Sequence, residues 1–332
     1  MRSIHKQRGV ALIIVFMIVA LVVIIATDMG SRLQIQVKRA SNIKDNNQAY
    51  WYAMGAEAFA RKSIKTIFDE TADKIVITQQ WSQEFTFPLE NGGIQAQLED
   101  AQSCFNLNTL GEAAQGNQRS GSSSAEATEP MLAFGRMLEA TGDKIDNYTA
   151  ETVRDSLADW LDTDDRMRTY GAEDAEYEGR EHPYLAANNL MTNQSELRLV
   201  NGVSPLWLKD IQDLICVIPD ETTMAINVNT LTTERAALLA GLTGMTLTDA
   251  TSLIASRPQD GWDDVNDFLS EPAVAAMNLT AEQLNWFTIT TRYFILHTKT
   301  KYNKATFSLS TLFKAQGGEN VQVVRREFGG VK

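Results

Sequence analysis

A run of 17 apolar residues, Val10–Ala26, opens just inside the N-terminus of this 332-residue chain and constrains everything that follows it. An uncharged segment of that length belongs in hydrocarbon, where a helix satisfies its own backbone groups. It lies at the short end of what spans a bilayer, and Thr27 can lengthen it slightly. The stretch before it, Met1–Gly9, carries Arg2, Lys6 and Arg8, which hold the N-terminus on the cytoplasmic side and leave the remainder facing the periplasm. An ordinary secretory signal is cut after its apolar stretch, at a small-x-small motif; Ile25-Ala26-Thr27-Asp28 is a poor one. The attractive junction lies before the run, between Gly9 and Val10, and cutting there keeps the apolar segment as an anchor.

The helical pattern outlasts the apolar run. No proline occurs before Pro88, and from Asp28 to about Phe68 Tyr50, Met54 and Ala58 recur at four-residue spacing, as do Ala49, Ala53 and their neighbours Ala56 and Ala60. Arg39, Asn46, Glu57 and Lys62 fill the other faces. The spacing predicts one helix over 10–68, roughly 85–90 Å long, half in or near the bilayer and half packed on a soluble domain. Gly30 and Gly55 are weak points that need not break it. The alternative is an anchor followed by an unrelated helix.

About 300 residues remain, enough for two modest domains or one domain with a large insertion. Lys74–Thr78, Glu84–Leu89 and Gly92–Asp100 read as strands, with Asn91-Gly92 as a hairpin turn; Phe287–Lys299, Ala305–Phe313 and Val321–Glu327 read the same way, with Gly317-Gly318 as a turn. Between them, Pro130–Thr141, Ala150–Leu161, Ser204–Leu214, Thr232–Leu242, Thr248–Ala255 and Trp262–Leu269 are helical in pattern, and Gly116–Glu129 is a Ser/Gly/Ala-rich loop. The fold class is α+β: a long N-terminal helix packed on a small antiparallel sheet (69–104 and 286–332), interrupted by an inserted α-helical domain (105–285). One echo runs through the insert: Phe105-Asn106-Leu107-Asn108-Thr109-Leu110 returns as Ile226-Asn227-Val228-Asn229-Thr230-Leu231, each following a cysteine and each reading as the structural start of a helical subdomain.

The net charge of −12, more acidic still without Arg2, Lys6 and Arg8, argues against a phosphate-backbone partner and for cation binding or an acidic surface. In an oxidising periplasm Cys104 and Cys216 are placed to pair; two separate buried thiols are the alternative. Acidic residues are densest from Asp159 to Asp165 and on through Glu173, Asp174, Glu176, Glu178 and Glu181. Asp162, Asp164 and Glu173 match positions 1, 3 and 12 of an EF-hand loop, but Arg166 and Met167 spoil the pattern, leaving a nonstandard calcium loop or a solvated acidic loop. Residues 226–270 look like a SAM-like or helix–hairpin–helix unit, yet the hairpin has no basic residue and Arg257 is followed by Asp260, Asp263, Asp264 and Asp267, a surface that repels DNA. His182 and His297 stand alone, and there is no nucleophile elbow, phosphate loop or metal-protease helix, so we read no enzyme.

Taken together, the leader junction Arg8-Gly9-Val10-Ala11-Leu12-Ile13-Ile14, the Asp159–Asp164 run, Gly171-Ala172-Glu173-Asp174 with Tyr177, Pro183-Tyr184 and Asn227-Val228-Asn229-Thr230 give the chain an end-to-end resemblance to the K-type minor pseudopilins of type II secretion. The resemblance implies a prepilin leader (1–9) removed by prepilin peptidase, methylation of Val10, an inner-membrane anchor and a periplasmic domain. Most pilins carry Glu at the fifth mature residue; Ile14 stands there, and an apolar residue suits a subunit with no neighbour above it. The further implications are a place at the pseudopilus tip nucleating or capping the fibre for protein export, I and J minor pseudopilins as partners, contact with exported cargo, and Ca2+ in the insert, one ion or more, on Asp162, Asp164, Asp165, Glu173 and Asp174. The rival is a membrane-anchored helix–hairpin–helix protein of DNA uptake.

Overall fold

The computed structural model describes residues 9–71, 73–111, 127–316 and 320–329. Met1–Arg8 of the leader, most of the Gly116–Glu129 loop and Gly317-Gly318 fall outside them. Helix α1 (Val10–Thr71) runs 62 residues without interruption through Gly30 and Gly55, about 93 Å at the helical rise. Its N-terminal part is apolar enough to cross a membrane and is wholly exposed on the protein. Its C-terminal part buries one stripe, Ala49, Ala53, Ala56, Ala60, Ile64 and Ile67. Tyr50 and Met54 flank that stripe, and Ala58 is exposed. Small residues at i, i+4 and i+7 let the backbone approach a sheet closely.

That sheet is formed by β1 (Phe85–Leu89) and β2 (Gly92–Asp100) from before the insert, and by three strands from after it. Lys74–Thr78 is not a strand: Ile75 and Val76 are both buried, so no alternation survives, and Ile75 N and Ile77 N donate to Ile289 O and Asn229 O in loops instead of to a ladder. The β1–β2 turn uses Asn91 at φ 63°, and a side chain on Gly92 would meet the Lys301 carbonyl at 1.9 Å.

The insert leaves after Asp100. It contains β3 (Phe105–Asn106), α2 (Glu129–Ala140), α3 (Asn147–Leu161), α4 (Asp174–Glu178), α5 (Pro205–Ile211), β4 (Ile215–Cys216), β5 (Ile226–Asn227), α6 (Ala236–Thr243), α7 (Leu247–Ala255), α8 (Val265–Leu269), α9 (Pro272–Ala275), α10 (Ala281–Leu284) and β6 (Phe287–Thr288). The chain then returns as β7 (Tyr293–Tyr302), β8 (Ala305–Gln316) and β9 (Asn320–Phe328). The sheet order is β1-β2-β7-β8-β9, all antiparallel, with Asp100 opposite Phe294. The insert thus departs and rejoins at neighbouring strand ends. The 287–299 pattern, read as one strand, is two: β6 pairs with β5 inside the insert and β7 enters the sheet. Trp262 likewise precedes its helix, which starts at Val265 behind an Asp264–Asp267 capping box.

Ala96, Leu98, Phe294, Leu296, Phe313 and Ala315 meet the α1 stripe in one core, while the insert has its own, centred on Phe105, Leu107, Phe134, Leu157, Leu238 and Phe268. Cys104 and Cys216 form a disulfide across 112 positions, tying the exit from β2 to β4. One carboxylate sits inside the helix–sheet contact. Glu57 Oε2 accepts from Arg326 Nε (2.6 Å) and Thr311 Oγ1 (3.2 Å), and Oε1 from Arg326 Nη2 (2.8 Å).

Candidate functional site

Helix α3 ends in a row of carboxylates. Asp155, Asp159 and Asp162 recur at i, i+4 and i+7, so they share a face, and all three are buried, Asp159 completely. An Asp146 cap fixes the start of the helix, its side chain accepting from Thr149 N at 2.8 Å. The chain then loops from Asp162 to Glu173 and folds back over the helix end. Gly171 makes that return fit, since a side chain there would strike Asp159 Oδ2 at 1.8 Å.

The loop's polar groups are unequally satisfied. Arg168 N donates to Asp159 Oδ2 (3.1 Å), while the Arg168 guanidinium lies 3.3 Å from Asp159 Oδ1 and 3.8 Å from Asp162 Oδ2. Asp164 is held by Arg166 N, Nε and Nη2 at 2.9, 3.2 and 3.1 Å. Asp165 Oδ1 accepts from Asn188 Nδ2 (3.3 Å), and Asp174 Oδ1 from Ala186 N (2.9 Å). Glu173 is buried, and among the described residues neither of its carboxylate oxygens has a hydrogen-bond partner. That is costly for a buried charge.

Electrostatics express the cost. Burial pushes the Asp159 carboxyl up to about 7 against the pull of Arg168, with Asp162 and Asp155 adding to the rise. Burial and then the charge of Asp164 push Asp162 up to about 6. Glu173 rises to about 8, through burial first and then the charges of Asp159, Asp162, Asp165 and Asp174. The five sequence-predicted ligands thus divide. Glu173 is buried and unpartnered, Asp162 is buried with Arg168 at 3.8 Å and the Asp164 amide at 3.3 Å, Asp165 and Asp174 stand at the margin with polar partners, and Asp164 is already paired to Arg166. Asp159, which sequence reasoning placed in the run but not among the ligands, belongs with the buried pair; its i, i+4, i+7 spacing with Asp155 and Asp162 was the available signal. Among the described residues no three of these groups are placed to hold a metal ion, and the Arg168 guanidinium reaches both Asp159 and Asp162. Mutually repelling hard oxygen donors with orphaned lone pairs nevertheless fit a divalent, oxygen-seeking cation.

A second feature lies on α1 beside the sheet's edge strand β1. Trp51 is 65% exposed and Phe59 57%, with Gly55 between them facing open space; Phe87 of β1 is 57% exposed, and Phe59 packs edge-on against Phe85 (5.5 Å). This aromatic face belongs to the same helix as the exposed apolar run from Val10 to Ile25, in which Ile14 sits. Just beyond α7 Arg257 is turned inward, its Nη1 donating to Val228 O (3.1 Å) and Leu231 O (2.7 Å), so it is spent on the protein's own backbone.

Family models of "Type II secretion system (T2SS), protein K" match residues 103–220 and 226–290. The type II secretion system protein K of Aeromonas hydrophila is 37% identical over 266 residues, covering 79% of each chain. That of Klebsiella pneumoniae is 34% identical over 328 residues, covering 98% of this chain and 97% of its own. Among solved structures, the GspK-GspI-GspJ complex from the enterotoxigenic Escherichia coli type 2 secretion system contains a similar chain. Its TM-score is 0.76 at 27% identity, and the match covers 88% of this chain and 100% of that one.

Proposed function

This chain belongs to the type II secretion system protein K family, and from that premise we propose that it caps or nucleates the tip of a periplasmic pseudopilus. Its role is that of a minor pseudopilin, a structural component of protein secretion. The single observation that carries the tip reading is the geometry of one continuous helix. Its first part is apolar and exposed, its last part is locked on a sheet, and a bulky insert departs beside the shaft. Prepilin peptidase cuts between Gly9 and Val10, Val10 is methylated, and the apolar segment waits in the inner membrane with the globular part in the periplasm. Assembly draws the helix into a bundle with the I and J minor pseudopilins. Trp51, Gly55, Phe59 and Phe87 form the soluble half of that contact, an aromatic pair around a glycine notch into which a partner helix packs. Ile14 places no unpaired carboxylate in the apolar fibre core.

Calcium completes the insert on this reading. Asp159, Asp162 and Glu173 would supply buried carboxylates to the ion, with Asp165 and Asp174 beside them, and Arg168 would compete with it for Asp159 and Asp162. A bound cation would neutralise groups that otherwise repel, and the loop from Asp162 to Asn188 would then present one shape to partners or exported proteins.

The test uses the full-length chain in mild detergent, mixed with the I and J minor pseudopilins of its own system. Co-elution in equimolar amounts is expected, and Trp51→Glu with Phe59→Glu should abolish it while leaving circular dichroism unchanged. Failure of the unsubstituted chain to associate overturns the tip assignment.

A further inference from the structure

The echoed hexapeptides are one device built twice. In each, a two-residue parallel ladder leads in, β3 with β4 and β5 with β6. In each, the first Asn turns its Oδ1 onto the amide two residues on: Asn106 to Asn108 N (3.4 Å), Asn227 to Asn229 N (3.0 Å). In each, a Thr hydroxyl donates back to that Asn's carbonyl, Thr109 to Asn106 O (2.8 Å) and Thr230 to Asn227 O (3.1 Å). The second Asn, fully buried, then clamps both backbone groups of one distant residue. Asn108 Nδ2 donates to Met191 O (2.9 Å) and its Oδ1 accepts from Met191 N (2.8 Å). Asn229 does the same with Trp262, at 3.0 and 2.8 Å.

The two copies differ in what the clamp holds. Trp262 follows the short α6–α7 hairpin. Met191 ends the excursion that carries the carboxylates. From Met191 the chain runs back three residues to Asn188, whose amide donates to Asp165, and five to Ala186, whose N–H donates to Asp174. The far end of the acidic loop is therefore fastened on one side to Asp165 and Asp174 and on the other, through Asn108, to the strand pair that the disulfide joins to the sheet.

We infer that Asn108, which bonds none of the carboxylates, is a positioning residue for cation binding, and that Asn229 is its structural twin without that role. The inference rests on the reading of the acidic cluster as a cation site. Groups that orient the residues around a metal typically change affinity by about 10–100-fold when removed. Asn108 Nδ2 also donates to Ile218 O (3.1 Å), a bond Asn229 lacks, so Asn108→Ala should cost the more stability of the two, and the local exchange pattern read beside calcium affinity separates misfolding from misplacement.

The experiment is calcium titration by calorimetry on the full-length chain in detergent, with Asn108→Ala and Asn229→Ala beside the unsubstituted protein, and Asn108→Ser should the alanine variant fail to fold. Amide hydrogen exchange of residues 174–191 is followed in EDTA. Asn108→Ala should weaken calcium binding about tenfold or more and speed exchange at Ala186 and Met191, while Asn229→Ala leaves both within about twofold. Equal effects of the two substitutions, or unchanged calcium affinity in Asn108→Ala, overturn the inference. An unsubstituted protein that binds no calcium overturns the cation reading. Faster exchange confined to Asn108→Ala then keeps Asn108 as the loop's positioning residue, and unaltered exchange removes that as well.

Discussion

Replacing Glu57 by Ala should loosen the lock between the long helix and the sheet by about 2–3 kcal/mol, a figure built from three contacts. Thr311 is wholly buried, and losing its acceptor leaves a hydroxyl without that bond, which costs about 1–3 kcal/mol. Arg326 keeps 37% of its side chain exposed, so its share is reduced by rehydration to roughly the 0.2–1 kcal/mol of a surface pair. Arg61, 3.7 Å away and about half exposed, adds little. The sum falls below the ~3–5 kcal/mol of a fully enclosed pair broken on one side. Urea unfolding of the full-length protein in mild detergent, read by fluorescence, gives the change, and a double-mutant cycle with Arg326→Met isolates the pair. A coupling of about 1 kcal/mol is expected. A loss under ~0.5 kcal/mol for Glu57→Ala, or strict additivity in the cycle, would refute the reasoning that this contact fixes helix to sheet.

Three further outcomes follow from local chemistry. Converting Cys104 and Cys216 to Ser opens a 112-residue separation and should cost up to about 4–5 kcal/mol, seen as a fall in the melting temperature that dithiothreitol reproduces in the parent protein. Arg168→Gln removes the internal cation that competes at Asp159 and Asp162; it should tighten calcium binding in calorimetry while lowering the melting temperature in EDTA. Glu221 is pushed up by burial, but the Tyr293 hydroxyl at 2.7 Å and Thr223 outweigh this and hold it below its usual 4.5. Its folded form therefore releases its proton at lower pH than the unfolded chain. The stability it adds is complete above 4.5 and disappears as pH falls through the depressed value, so Glu221→Gln should flatten that limb of the stability–pH curve.

The sequence carried the long helix and the sheet because both depend on local pattern: an apolar run, a small-residue stripe, alternating strands and an Asn-Gly turn. Strands at both ends of the chain pointed to an insertion; in the structure β2 ends at Asp100 and β7 begins at Tyr293. Lys74–Thr78 misled because Ile75-Val76-Ile77 has strand composition, and only tertiary packing shows that both of its faces are buried. The 287–299 pattern hid a break at the threonines Thr288, Thr290 and Thr291, where the hydroxyls of Thr288 and Thr291 bond nearby backbone amides. Asp159 escaped notice as a site residue because it lies within a helix, and its isolation from solvent is created by a loop folding back twelve residues later, with Gly171 seated against it. The Asn clamps were visible as a repeated string, but what they hold, Met191 and Trp262, lies 83 and 33 residues away. No local rule reaches that far.

The most direct test of the pseudopilin account is the intact mass and N-terminal residue of the protein extracted from membranes. The account predicts a chain that begins at Val10 with an N-methyl group, the apolar run retained. A chain that still carries Met1, or one that starts beyond Ala26, would contradict it.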